Sequence, residues 1–157
     1  LDTPKGSSGA TNVRVTWFYR PEDARGGRKP FHGEKELFQS DHADVITSDT
    51  INGMCLVHTL KQYQALSEIG EMDYFSRFTY KATTGRFSPD SVPVYCVCEM
   101  PYNPDLSMVE CEGCEEWLHP ECLGLTERYV KKMDHFVCAE CTKKHLEVAA
   151  GKKRKVR

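Results

Sequence analysis

The chain has 157 residues, 39% of them hydrophobic and 28% charged, with a formal net charge of −2. This is globular composition for one large domain or two small ones, and it excludes wholesale disorder. No apolar run approaches the about 20 residues that a membrane-crossing helix needs, so no membrane partner is expected.

The chain opens on Leu1 rather than Met and reads as a fragment. Residues 1–12 are rich in Gly, Ser, Thr and Pro and read as loop. From Val13 to Tyr19 the pattern alternates, with Val13, Val15, Trp17 and Tyr19 on one face and Arg14, Thr16 and Phe18 on the other. That predicts a β-strand. The Gly26-Gly27 pair between Pro21 and Pro30 predicts a loop. Short strands are expected at 36–39, 45–47, 54–59 and 74–81, a short helix within 62–69, and a turn at Thr83-Thr84-Gly85. Short strands separated by turns predict an all-β barrel or sandwich. Cys55, standing alone, reads as a small buried hydrophobe. Pro93 marks a boundary, after which metal spacing governs the structure. A short helix is expected at 142–150, and the closing GKKRKVR has nothing to bury.

Charge is unevenly spread along this order. Residues 1–90 carry 11 basic and 12 acidic side chains, residues 91–142 carry 3 and 10, and residues 143–157 carry 7 and 1. The pattern predicts two modules and an appendage. The acidic block argues against a nucleic-acid surface there and for a basic partner.

Seven of the eight cysteines fall between Cys96 and Cys141. An odd number leaves a disulfide framework one thiol short. With one histidine they form a ladder, Cys96-x1-Cys98-x12-Cys111-x2-Cys114-x4-His119-x2-Cys122-x15-Cys138-x2-Cys141. Each close pair can aim two ligands at one point, so four pairs make two closed, structural Zn²⁺ sites. No coordination position is left open for catalysis. No nucleophile–base grouping or phosphate loop is identifiable either, so no enzymatic activity is expected.

The ligand order, four Cys, one His, three Cys, with Trp117 two residues before His119, resembles the PHD finger. The resemblance implies a cross-braced pairing, with Cys96, Cys98, His119 and Cys122 on one zinc and Cys111, Cys114, Cys138 and Cys141 on the other. It also implies a methyl-lysine cage at Tyr95, Tyr102, Met108 and Trp117, since an aromatic box attracts a quaternary ammonium. Packing of a minimal core is the competing role for these four side chains. In such fingers an acidic residue at the Glu112 position pairs with the arginine at position 2 of the histone H3 tail. Glu110 flanks the same ligand, the tail adds as a strand beside 108–110, and backbone carbonyls near 133–135 capture its amino terminus.

Upstream, Trp17-Phe18-Tyr19-Arg20-Pro21-Glu22, Phe31-His32-Gly33 and Glu36-Leu37-Phe38-x-Ser40-Asp41-His42 look like a BAH domain. Together with CEMPYNPD at 98–105, the chain resembles the plant BAH–PHD histone readers of the SHORT LIFE / EARLY BOLTING IN SHORT DAYS type. The implied fold is mostly β: a partial BAH β-barrel at 1–91, its first strands lying before Leu1, a two-zinc PHD finger at 93–142 and a basic tail at 143–157. The implied function is a nuclear chromatin reader in transcription regulation. The finger would bind H3 di- or trimethylated at lysine 4. The BAH domain would bind H3 trimethylated at lysine 27, with Trp17 and Tyr19 as cage walls and His42 and Asp44 on the peptide.

Expected partners are the H3 tail, chromatin, and corepressor or remodelling proteins, with DNA binding confined to the basic tail. Residues 152–157 resemble a nuclear localisation signal. The alternative is a RING-like E3 ubiquitin ligase. RING fingers place the histidine one ligand earlier, and an autoubiquitination assay separates the two readings.

Overall fold

In the computed structural model, which describes residues 11–153 and only the backbone of 148–153, the chain divides into two units, Leu1–Val92 and Pro93–Arg157. Residues 1–10 of the loop expected at 1–12 and the side chains of 148–157 in the basic tail lie outside the described residues.

Alternating apolar residues produce β1 (Asn12–Tyr19), which pairs antiparallel with β2 (Phe38–Thr47). The ladder slips between Thr16↔Ala43 and Phe18↔Gln39, so β2 bulges over 40–42 opposite Trp17. Ser40 holds this bulge: its hydroxyl donates to the Trp17 carbonyl at 2.7 Å and accepts the His42 N–H at 3.1 Å. The two strands expected at 36–39 and 45–47 are therefore one long strand, interrupted in register rather than ended.

The strand expected at 74–81 is two strands, β4 (Asp73–Ser76) and β5 (Thr79–Lys81). Between them Arg77 turns inward to Glu36, which is 1% exposed. Its Nε and Nη2 donate to the two carboxylate oxygens at 2.7 and 3.1 Å, and the Gly33 N–H adds a third bond at 3.0 Å. Nη2 also donates to the Phe31 carbonyl at 2.9 Å. Burial pushes the Glu36 carboxyl up, and Arg77 pulls it partly back.

β3 (Leu56–Thr59) runs parallel to β4, and α1 (Leu60–Gln64) follows β3 directly. A capping box starts the helix: the Thr59 hydroxyl accepts the Gln62 N–H, and the Gln62 side chain accepts the Thr59 N–H. The helix thus lies earlier than expected. Cys55 is exposed, correcting the expectation of a buried thiol. Regular structure begins only at Leu56, which leaves Cys55 in an irregular segment on the rim of an open groove of about 380 Å³ with Phe18 and Met54.

β5 pairs antiparallel with β6 (Arg86–Ser88), giving a four-stranded sheet in the order β1-β2-β5-β6. The turn between them places Gly85 at φ +70°, a conformation open to glycine at no steric cost. Ala24, Phe38, Phe78 and Tyr80 form the core, flanked by Tyr19, Phe31, Ala82, Phe87 and Val92.

His32 packs edge-on against Phe31 and Phe38, and its Nδ1 accepts the Lys29 N–H at 2.9 Å. A ring nitrogen that accepts cannot carry a proton. Burial, followed by Arg77, Arg28 and Lys29, lowers its pKa to about 4. The unfolded chain binds this proton near pH 6.5 and the folded chain only near 4. Stability is therefore unaffected above 6.5, is lost as pH falls from 6.5 to 4, and is constant below. For a half-buried ring the loss is about 1–2 kcal/mol. Urea unfolding followed by Trp17 fluorescence checks this: His32→Phe should flatten the decline, and parallel pH profiles would refute the assignment.

The second unit is made of short pieces. β7 (Val94–Tyr95) pairs with β8 (Met100–Pro101), and β9 (Val109–Glu110) with β10 (Trp117–Leu118), both antiparallel. α2 (Glu127–Val130) is capped by the Thr126 hydroxyl, and α3 (Ala139–Lys153) starts earlier and ends later than the helix expected at 142–150. Its packed cluster is Cys111, Leu118, Phe136 and Cys141, with Cys96, Val109, Leu123, Leu125, Met133 and Cys138 against it. Four of these ten side chains are cysteines, so what binds the thiols also builds the core.

Candidate metal centres and peptide surfaces

The eight ligands of the ladder converge in two sets, Cys96, Cys98, His119 and Cys122, and Cys111, Cys114, Cys138 and Cys141. Within each set the ligand atoms lie within 4.8 Å of one another. The sets interleave along the chain, which is the cross-brace. Turns deliver each close pair: Cys96 and Glu115 adopt positive φ, and the Glu99 and Glu115 N–H groups bond back to the Cys96 and Cys111 carbonyls at 3.1 and 2.7 Å. Gly113 lies inside the second set, where a Cβ would meet Cys141 Sγ at 3.0 Å. A side chain there would intrude on the ligand atoms.

The chemistry of these donors fits Zn²⁺. Burial raises the Cys96 thiol, but N–H groups of Cys98 and His119 outweigh it and bring the pKa to about 6. The Cys138 N–H, donating at 3.2 Å, is the main cause that brings Cys111 to about 6. Burial, then the neighbouring thiols, pushes Cys122 up to about 11. Cys138, then burial, pushes Cys141 up to about 12. In each set one thiolate forms readily, Cys96 or Cys111, while Cys122 or Cys141 resists, and a divalent cation removes that conflict. His119 turns Nδ1 toward Cys98 and Cys122 Sγ at 3.4 and 4.0 Å, while its buried Nε2 has no partner among the described residues. Nδ1 is thus the ligating nitrogen and Nε2 carries the proton. The finger holds two structural zinc ions, and their role is to build the fold that carries the surface residues.

The four expected cage residues sit on or beside the small ladders: Tyr95 on β7 opposite Met100, Tyr102 just after β8, Met108 just before β9, and Trp117 on β10 opposite Glu110. None belongs to the packed cluster, and Trp117 is 43% exposed. Glu110 and Glu112 are exposed on the same stretch. Sequence reasoning missed the partner of Glu112: His135 Nδ1 donates to its carboxylate at 2.8 Å, and the Glu112 N–H donates to the Phe136 carbonyl at 3.0 Å. The His135 pair is exposed and easily exchanged.

In the first unit the structure joins two of the four expected contacts. Tyr19 Oη and His42 Nδ1 are hydrogen-bonded at 2.8 Å, and the Tyr19 ring also packs on Tyr80 at 5.1 Å. Trp17 is exposed and faces the bulge that carries His42. Asp44 lies two residues on, opposite Val15, and its carboxylate accepts the Val45 N–H at 2.7 Å. The bulge was the missing signal, since a serine bonding across a ladder has no periodic signature.

This fold and these ligand sets define a class: a BAH domain followed by a cross-braced PHD finger. The family model for the BAH domain matches residues 2–105, and that for the UBR7-like PHD finger matches residues 92–149. The chromatin remodeling protein EBS of Arabidopsis thaliana is 60% identical over 133 residues, 83% of this chain and 57% of its own length. The chromatin remodeling protein SHL of the same plant is 55% identical over 130 residues, again 83% of this chain and 57% of its own length. Lysine-specific demethylase phf2 of Danio rerio is 38% identical over 64 residues, 41% of this chain and 6% of its own length. The chain belongs to the plant BAH–PHD family of chromatin proteins. It spans just over half the length of the two plant relatives.

Proposed function

We propose that the protein is a nuclear chromatin reader whose finger binds the N-terminal tail of histone H3 with di- or trimethylated lysine 4. The observation that carries this is the exclusion of Tyr95, Tyr102, Met108 and Trp117 from the packed cluster of the finger. A module this small gains by burying its aromatics, and keeping Trp117 exposed with Tyr95, Tyr102 and Met108 only half-buried suits a cationic ligand instead. Met108 supplies a polarizable thioether wall. β9 pairs only with β10 among the described residues, so its other edge is open to an added strand. Glu110 and Glu112 then face a basic peptide, with Glu112 exchanging His135 for the tail's arginine. In this reading the BAH domain occupies 1–91, the finger 93–142 and the tail 143–157. Trp17, Tyr19, His42 and Asp44 serve H3 trimethylated at lysine 27.

Calorimetry with H3 peptides tests the finger. Trp117→Ala should weaken the trimethylated peptide about thirtyfold, the equivalent of about 2 kcal/mol of cation–π attraction, and should erase its advantage over the unmethylated peptide. Both proteins should hold two zinc ions, since Trp117 is no ligand. A folded Trp117→Ala protein that still discriminates like wild type would make the four side chains packing residues and end this reading.

A further inference from the structure

We propose that Arg25, Lys29, Lys81 and Arg86 form a separate surface on the BAH domain that binds the phosphate backbone of double-stranded DNA. It does not depend on the methyl-lysine reading, because none of these residues belongs to either peptide surface.

Two segments distant in sequence build the surface. The β5–β6 turn carries Lys81 and Arg86, which pair directly across the ladder. The loop after Pro21 carries Arg25 and Lys29. The loop is fastened to the sheet at two points: Ala24 is buried in the core, and the Arg25 N–H donates to Tyr80 Oη at 3.1 Å. The Arg25 stem lies over the turn, so close that a Cβ on Gly85 would stand 2.5 Å from its Cδ. Glycine at 85 thus lets an arginine cross the turn between two other cations.

All four side chains are exposed, and none joins an ion pair with another described residue. The nearby acids offset them only in part. Glu22 is held by Arg28 at 2.9 Å, and Asp41 spends one oxygen on the Ala82 N–H at 3.0 Å. Asp23 is the remaining acid of the loop. Gathering like charges without counter-charges costs free energy in the isolated protein, and a polyanion relieves it. Two guanidinium groups suit phosphate oxygens in particular. DNA is the polyanion that a chromatin protein meets at every binding event, and the ladder and the two loop anchors hold the cations in place beforehand.

The test is fluorescence anisotropy of the full chain with a mixed-sequence 20-bp duplex, titrated at several salt concentrations. Each phosphate contact adds about −0.9 to the slope of log K against log salt. Replacing all four residues by Gln should weaken binding at least tenfold at low salt and flatten the slope by about 3–4. Because the Arg25 stem packs on Gly85, the triple Lys29→Gln, Lys81→Gln, Arg86→Gln variant is measured as well, with about 2.7 expected. Both should keep two zinc ions, wild-type Trp17 fluorescence and wild-type affinity for H3 peptides. Wild-type DNA binding by the triple variant would overturn the proposal, as would loss seen only when the basic residues of 152–157 are neutralised. Loss of binding to polyglutamate with DNA binding intact would also overturn it.

Discussion

Replacing Cys111 by Ser is expected to unfold the finger and leave the BAH domain folded. Cys111 is 0% exposed at the centre of the finger's packed cluster. Its sulfur accepts N–H bonds from Gly113 and Cys138 at 3.4 and 3.2 Å, tying together the two halves of its ligand set. A structural zinc supplies on the order of 10 kcal/mol of folding free energy. A small domain has in all about 5–15 kcal/mol, so losing one ligand set removes most of what holds the finger. The chain's two tryptophans fall one in each unit, which lets each be followed alone. In a Trp17→Phe background Trp117 reports the finger, and in a Trp117→Phe background Trp17 reports the BAH domain. Elemental analysis should find two zinc ions per wild-type chain and at most one in Cys111→Ser. Fewer than two in folded wild-type protein, or two with unchanged Trp117 fluorescence in the variant, would contradict the assignment.

The finger was the more legible part of this chain, for a physical reason. Its structure is dictated by ligand pairs one or two residues apart, and such local constraints survive in a linear sequence. The interleaving of pairs came from resemblance, and the convergence of Cys96 with His119 and of Cys111 with Cys138 agrees with it. The first unit was read less well because distant contacts decide it. The Thr59-x-x-Gln62 capping box was visible and would have moved the helix to its observed start. Nothing local announced the Ser40 bond that bulges β2, or the exposure of Cys55. Nor did any pattern mark Glu36 as buried: it sits in a run that reads as a strand, and its partner is Arg77, 41 residues away.

That pair sets the last prediction. Arg77→Ala should destabilise the BAH domain by about 3–5 kcal/mol, because it leaves a fully enclosed carboxylate without its cation. At least three hydrogen bonds go at once, two to Glu36 and one to the Phe31 carbonyl, and the Gly33 N–H is left on the carboxylate. The guanidinium also lies over the Phe78 ring at 5.1 Å, so packing is lost with the charge. Burial already raises the Glu36 carboxyl with Arg77 present. The ion pair therefore returns less than its desolvation takes, and its worth lies in what happens when it is broken. The double variant Glu36→Leu, Arg77→Met should accordingly recover much of the loss, since apolar groups of similar size carry no unmet charge. Urea unfolding followed by Trp17 fluorescence in the Trp117→Phe background gives both values. If Arg77→Ala costs under about 1 kcal/mol, in the range of an exposed pair, water reaches Glu36 and the enclosed pair is not what breaks the strand between β4 and β5. If the double variant is as unstable as the single one, the essential contact is the bond to Phe31, and Arg77 acts as a backbone brace rather than as a counter-ion.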